Sequence, residues 1–542
     1  MPIKVLPPEV TSKIAAGEVI ERPASVAKEL IENSLDAGAT EIIIEANNGG
    51  VSYLRVSDNG CGLSAVEAEI AIKRHATSKI TGLQDLEHIN TLGFRGEALP
   101  SIASVAEVEI LTRDADGSAA SYLRLDNGTV VAREKKSRPR GTTVIVRRLF
   151  QNFPARLKFL KSATTESGHI TTLVSQFALA YPEVRFELIT DGRTTLRSSG
   201  DTELRSAVSV IYGLDIAKKM LDVEGTDGFL YIQGLASPPS VQRSSRSYLS
   251  FFVNRRYVRN SLLAKAVETA YEELLMTGRH PLAVINIAIP PEEVDVNVHP
   301  TKLEVKFRNN SNVFTAIVKT LRDTLAKSPL PSARPELDDA SSRPLWEPHA
   351  TEMPALRTLG QLSASYILAE GEEGLYLIDQ HAAHERILFE KIIAQRKEGR
   401  PDVQGMLEPL TVELSAMHMQ ALEGCSALLS ALGFTIEPFG GNSCLVRAVP
   451  SVLSGAPITD AVMEILDELG PEKDADTRGM KAARLVACHG AIKAGQKLET
   501  GEQAELIKQL SSTSRPRTCP HGRPTMLHLS SQQLKREFGR TQ

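Results

Sequence analysis

Apolar positions change their spacing several times along the chain, and each change marks an element. Val51 to Val56 is apolar-rich and runs into Asp58-Asn-Gly60-Cys-Gly62, which predicts a strand ending at Asp58 with two flexible glycines behind it. Upstream, Glu29 and Asn33 are four apart, so on a helix they share one face. Gly93 and Gly96 precede a helix, and Gly141 to Val146 reads as a strand with hydroxyls at its start. Strands and helices alternate to about residue 200, as in an α+β sandwich. Tyr248 to Val253 predicts a further strand, Leu262 to Leu275 a helix, and two alternating segments flank a turn at His299-Pro300. Prolines punctuate 328–354, an extended and moderately stiff linker that also holds the single tryptophan, Trp346. Leu375 to Asp379 then starts as a buried strand and becomes a helix, and no internal repeat is visible.

Several of these elements carry chemistry. A carboxylate at Glu29 can polarise a water, and an amide oxygen one turn on at Asn33 can bind Mg²⁺. Asp58 offers an acceptor suited to a base edge, and glycines at a helix N-terminus can cradle phosphates. Taken singly, these segments would be an amphipathic helix and a D-N-G turn more often than not; together they are much more specific. Gly490-Ala-Ile-Lys-Ala-Gly495-Gln496 has P-loop glycine spacing but Gln where the Lys must be. Toward the C-terminus, His381 and Glu385 are i, i+4 and face the same side, with Asp379 at the strand-to-helix junction. Glu390 points roughly 140° away from Glu385 on an ideal helix and is not expected to join them. Cys488 and the Cys519-Pro-His521 segment, whose ligands lie on one side if extended, complete a mixed N/O/S set suited to Zn²⁺ or Mn²⁺. His489 is a cation only below about pH 6.5 if unperturbed, or else an extra ligand.

The wording ELIENSLDAGA, GFRGEAL and FPARLKFL, together with the order of the motifs, resembles the MutL family of DNA mismatch repair proteins nearly end to end. Within the wider ATPase superfamily of gyrase B, heat-shock chaperones and sensor kinases, that resemblance implies a GHKL-type ATPase sandwich over 1–204. It implies an S5-like transducer over 205–327, the linker at 328–354 and a C-terminal dimerisation and endonuclease domain over 355–542. It makes Glu29 the general base, Asn33 the holder of the ATP-bound Mg²⁺, and Asp58 the reader of adenine, with Thr143 nearby. Asp36, Ala37, Gly60, Gly62, Thr77, Ser78 and Lys79 would line the ATP site, and Gly93, Phe94, Arg95, Gly96, Glu97 and Leu99 its lid. Lys302 would reach the γ-phosphate from the second domain.

The pattern DQHA-x-x-E-x4-E with C-P-H-G-R-P is that of family members that nick DNA, which implies metal-assisted phosphodiester hydrolysis. Asp379, His381, Glu385, Cys488, Cys519 and His521 would form the Zn²⁺ or Mn²⁺ site, with Asp379 also catalytic. Gln404-Gly-Met-Leu407-Glu-Pro409 resembles a sliding-clamp motif, and Phe538-Gly-Arg540 an ending seen in the family. Implied partners are mismatched double-stranded DNA, a MutS-type recognition protein, the replication clamp and a second copy of the chain. The alternative is a nuclease-free ATP-dependent matchmaker with a structural zinc site.

Composition narrows the picture only slightly. The 542 residues suffice for three or four domains at roughly 100–200 residues each. The chain is 42% hydrophobic, 24% charged and 5% aromatic with a formal charge of −4, so DNA contact has to come from local patches. Arg255, Arg256 and Arg259 form one candidate patch, and Arg147, Arg148, Arg156, Lys158 and Lys161 another; a solvated face is the equal alternative. Five scattered cysteines, no run of about 18 apolar residues and no signal-peptide pattern predict a reducing cytoplasmic setting, nucleoid-associated during repair, and no membrane partner.

Overall fold

The alternation around residues 41–58 becomes the centre of an eight-stranded sheet. In a computed structural model, β1 (Glu41–Asn47) pairs antiparallel with β2 (Tyr53–Asp58), with Ile42 opposite Asp58 and Ile44 opposite Val56. Ile42, Ile44, Ala46, Leu54 and Val56 bury one face under α1 (Pro23–Asp36), which contributes Val26, Ala27, Leu30 and Ile31. Further strands are β3 (Glu107–Arg113), β4 (Ala120–Asp126), β5 (Thr129–Lys136), β6 (Gly141–Arg147), β7 (Arg185–Thr190) and β8 (Arg193–Arg197). Their order is β5-β4-β3-β6-β2-β1-β7-β8, with β1 parallel to β7. Placing β6 beside β2 sets Ser57 opposite Thr143, so the end of the Asp58 strand and the start of the hydroxyl-bearing strand meet.

The structure describes residues 20–74, 76–79, 92–93, 96–117, 119–272, 274–275, 279–295, 305–326, 353–440, 443–469, 475–493 and 495–537. Phe94, Arg95, the His299-Pro300 turn, Lys302, Trp346 with nearly all of the linker, and Phe538 to Arg540 lie outside them. The described residues divide into two compact units, one within 20–326 together with Leu414–Gln420 and the other within 353–413 and 421–537.

Within the first unit a five-stranded sheet follows, with Leu249–Val253 parallel to Ala283–Ala288 at its centre. Val208, Ile211, Tyr212, Phe252 and Val284 belong to the same apolar cluster as the eight-stranded sheet, so no break in the core falls at residue 204. The helix expected over 262–275 spans Ser261–Ala270. Asn260 caps its start by accepting from Leu262 and Leu263 N–H, and Tyr271 ends it, burying its ring and donating to the Ser237 carbonyl.

In the second unit, Arg357–Leu362, Tyr366–Gly371, Gly374–Asp379 and Met526–Ser530 form a four-stranded sheet in that order. The last strand pairs with Gly374–Asp379, and the Asp379 N–H donates to Thr525 O at 2.9 Å. That register brings the segment just before Met526 to the start of the helix Gln380–Glu398. A second helix, Ala475–Gly490, packs against Gln380–Glu398. A separate three-stranded sheet holds Val403–Glu413, whose register slips between Gly405 and Leu410 and leaves Leu407 fully exposed. No helix among the described residues is long and apolar enough to cross a membrane.

Candidate functional sites on the two units

Three polar residues fall on one stripe of α1 because its apolar positions take the other. Glu29 is 21% exposed and lies 3.3 Å from Lys28 Nζ, which also pairs with Glu32 at 2.9 Å. Burial alone would lower the Lys28 pKa, but the two carboxylates more than offset it and raise it, so a fixed cation stands beside Glu29. One turn on, Lys79 Nζ lies 2.9 Å from Asn33 Oδ1 and 2.6 Å from Asp36 Oδ2. The Lys79 ammonium thus stands in for a cation against the two oxygens, and the donor set fits Mg²⁺. Asp36 also accepts from the N–H groups of Leu92 and Gly93, at 3.0 and 3.1 Å, which ties this stretch of backbone to α1.

Asp58 is buried and heavily bonded. Ser34 Oγ donates to its Oδ2 at 2.9 Å, and the N–H groups of Gly60 and Thr142 donate to Oδ1 at 2.9 and 3.1 Å. Burial pushes its carboxyl above the usual range, and these bonds oppose the rise. Thr143 Oγ1 sits 2.8 Å from Ser57 Oγ. Gly62 has φ +72°, and a Cβ there would lie 2.0 Å from the Arg113 carbonyl oxygen, so only glycine fits this approach. Cys61 N–H donates to the Ala37 carbonyl, Thr77 Oγ1 accepts from Lys79 N–H with Ser78 between them, and Gly96, Glu97 and Leu99 lead into or begin the helix Ala98–Ala103. Ser34, Thr142 and Arg138, whose guanidinium bonds the Asp58 carbonyl at 3.0 Å, were not legible as site residues.

On the second unit, His381, Glu385 and Cys488 form one potential ligand group, and Glu385, Cys519 and His521 another; within each group the ligand atoms lie within 4.8 Å of one another. Glu385 is common to both. Its Oε1 is 3.3 Å from His381 Nε2 and its Oε2 3.4 Å from His521 Nδ1. Burial pushes the Glu385 carboxyl up, but bonds from His381, His521 and Cys488 overcome this and hold it far below the usual range. The bond to Cys488, then that to Glu385, raises His381 to about 11; Cys519, then Glu385, raises His521 to about 9. The imidazole, carboxylate and thiol donors fit zinc or manganese.

The structure adds three placements here. Asp379 joins neither group; its Oδ1 turns back to cap the helix, accepting from His381 and Ala382 N–H at 2.9 and 3.0 Å. Cys519 and His521 come together through a tight turn, not an extended strand: Gly522, with φ +86°, lets Cys519 N–H reach Arg523 O at 2.8 Å. His489 is engaged by Glu464 at 2.8 Å and is not a ligand of either group. Glu390, as expected, stands apart and accepts from Ser514 N–H and Oγ. Arg386, which the sequence did not mark, is buried and donates to the Cys519 carbonyl at 2.9 Å, fixing the ligand turn.

Residues 21–153 match the histidine kinase-, DNA gyrase B- and HSP90-like ATPase family, and 208–326 the DNA mismatch repair protein C-terminal domain family. Residues 359–498 match the MutL C-terminal dimerisation domain family. DNA mismatch repair protein MutL of Desulforudis audaxviator is 40% identical over 563 residues, covering 99% of each chain. That of Methanothrix thermoacetophila is 41% identical over 558 residues, again with 99% of each covered. The chain belongs to the MutL family.

A crystal structure of the N-terminal domain of a DNA repair protein is also similar, at 27% identity and a TM-score of 0.51, covering 58% of this chain and 98% of that one. This MutL chain therefore carries an ATPase domain of the histidine kinase, gyrase B and HSP90 type and a MutL dimerisation domain. Its candidate DNA arginines are engaged within the protein: Arg255 with Ala180 O, Glu183 and the Tyr181 ring, and Arg256 with Leu92 O at 3.0 Å. Arg259 is exposed, with Tyr257 Oη 3.5 Å away. Arg147 and Arg148 pair with Glu109 and Glu107.

Metal uptake by the Glu385 cluster should be coupled to proton release. His381 and His521 are protonated at pH 7 in the metal-free cluster, with values of about 11 and about 9, and ligation needs them neutral. Zinc affinity should therefore rise between pH 7 and 9. Calorimetry in two buffers of different ionisation enthalpy should show protons leaving as zinc binds; heats independent of buffer would contradict this cluster as the zinc site.

Proposed function

We propose that this MutL chain is an ATP-controlled homodimer that couples mismatch recognition to nicking of one DNA strand by its own C-terminal metal site. The observation that carries the nuclease is Glu385, one buried carboxylate common to two ligand groups. One or two bound Zn²⁺ or Mn²⁺ ions would polarise a phosphate and lower the pKa of the attacking water. His381, Glu385, Cys488, Cys519 and His521 would hold them, and Asp379 would add a carboxylate at the helix start. We read 1–204 as the ATPase, 205–327 as the transducer, 328–354 as the linker and 355–542 as the dimerisation and nuclease domain.

In the ATPase, Glu29 would act as general base, Asn33 would hold Mg²⁺, Asp58 would accept from adenine, and the segment from Gly93 to Leu99 with Lys302 would close on the phosphates. Mismatched DNA, a MutS-type protein and the replication clamp are the partners this reading requires. The exposed Leu407 between Gln404 and Pro409 supports the clamp contact, and exposed Arg259 is the stronger phosphate contact of its group.

Nicking of supercoiled plasmid in Mn²⁺ tests the nuclease. Asp379→Asn keeps an acceptor for the helix cap, whereas alanine would cost about 1 kcal/mol of helix stability. The asparagine variant should fold normally and lose most nicking. A metal-loaded wild type that never nicks, even with ATP and a clamp, would instead make the cluster a structural zinc site in a matchmaker.

A further inference from the structure

The segment after the helix Ala475–Gly490 is irregular, so its backbone position depends on whatever bonds it. Three residues in the first turns of Gln380–Glu398 reach it. Gln380, fully buried, donates its amide to the carbonyls of Lys493 at 3.2 Å, Gln496 at 3.1 Å and Ala364 at 2.8 Å. His381 and His384, i and i+3 on the same face, both meet Ile492. The His381 Nδ1–H donates to the Ile492 carbonyl at 2.8 Å. A carbonyl only accepts, so Nδ1 keeps its proton, and Nε2, which faces Glu385, is the nitrogen freed when the imidazole becomes neutral to bind metal. The Ile492 N–H donates in turn to His384 Nδ1 at 3.0 Å.

We propose that His384 is a positioning residue for His381, acting through the backbone of Ile492. The inference rests on reading His381 as a metal ligand. His384 belongs to neither ligand group, yet it holds the one residue whose carbonyl fixes the tautomer and ring angle of His381. Outer partners of this kind typically set metal affinity by 10–100-fold. Removing the acceptor at His384 leaves Ile492 held by one histidine instead of two. The carbonyl can then rotate, and His381 loses its fixed orientation while all five ligands remain.

The test uses the full-length protein, stripped of metal and reloaded. Zinc affinity is measured by competition with a chelator, and the absorption bands of the Co²⁺-loaded protein report the ligand geometry. His384→Leu and His384→Ala should weaken zinc by about 10–100-fold and shift the Co²⁺ bands. Asparagine places an oxygen where Nδ1 stood, so His384→Asn should restore both. Should the leucine variant fail to fold, the alanine variant makes the same comparison. Wild-type affinity and bands in the leucine or alanine variants, or an asparagine variant as weak as alanine, would overturn the proposal. A wild type that binds zinc but does not nick plasmid would sink the nuclease reading while leaving this comparison valid.

Discussion

Replacing Glu385 by glutamine should empty the C-terminal metal cluster altogether. The carboxylate serves both ligand groups, so its loss removes a ligand from each, and both imidazoles beside it lose their anionic partner. The side chain keeps its volume at a site only 5% exposed, so the fold should hold. Losing a shared ligand should cost more than the roughly 100-fold of an outer partner. Elemental analysis after gel filtration should find the variant zinc-free, nicking should fall below detection, and ATP turnover should be unchanged. Zinc retained at the wild-type ratio would show that Glu385 is not a ligand.

Substitution of Glu29 by alanine should separate nucleotide binding from hydrolysis. Removing a general base lowers turnover by about 10²–10⁴-fold. The residues that surround Asp58 and Asn33 are untouched, so ATP should still bind. Lys28 remains paired with Glu32 at 2.9 Å, so no buried cation is stranded and thermal stability should change little. Basal nicking in Mn²⁺ should persist, because the metal cluster lies on the other compact unit. A variant that turns over ATP within a few-fold of wild type would remove Glu29 from the base role; one that no longer binds nucleotide would make it a binding residue.

What could be read from the chain was local. Glu29 with Asn33, and His381 with Glu385, are one helical turn apart, and spacing alone puts each pair on one face. Asp58 was legible as a strand end because the apolar alternation stops there. What was missed works through distant partners: Thr142 bonds Asp58 across 84 residues, His384 bonds Ile492 across 108, and Arg386 reaches Cys519 across 133. No periodicity encodes such pairings. Asp379 shows a different limit. An aspartate ahead of a helix is equally suited to capping and to metal ligation, and only the observed bonds to His381 and Ala382 N–H reveal that its Oδ1 caps the helix.

The pairing of Met526–Ser530 with the strand that ends at Asp379 has a consequence for synthesis. The two ligand groups draw on different lengths of chain: the first needs residues up to Cys488, the second residues up to His521. A nascent chain that stops at residue 518 lacks the fourth strand of its sheet, which spans 526–530, and holds one ligand group at most. A copy that stops there would carry the ATPase domain but only one of the two potential ligand groups. Pairing of that fourth strand is thus the same step that brings Cys519 and His521 to Glu385.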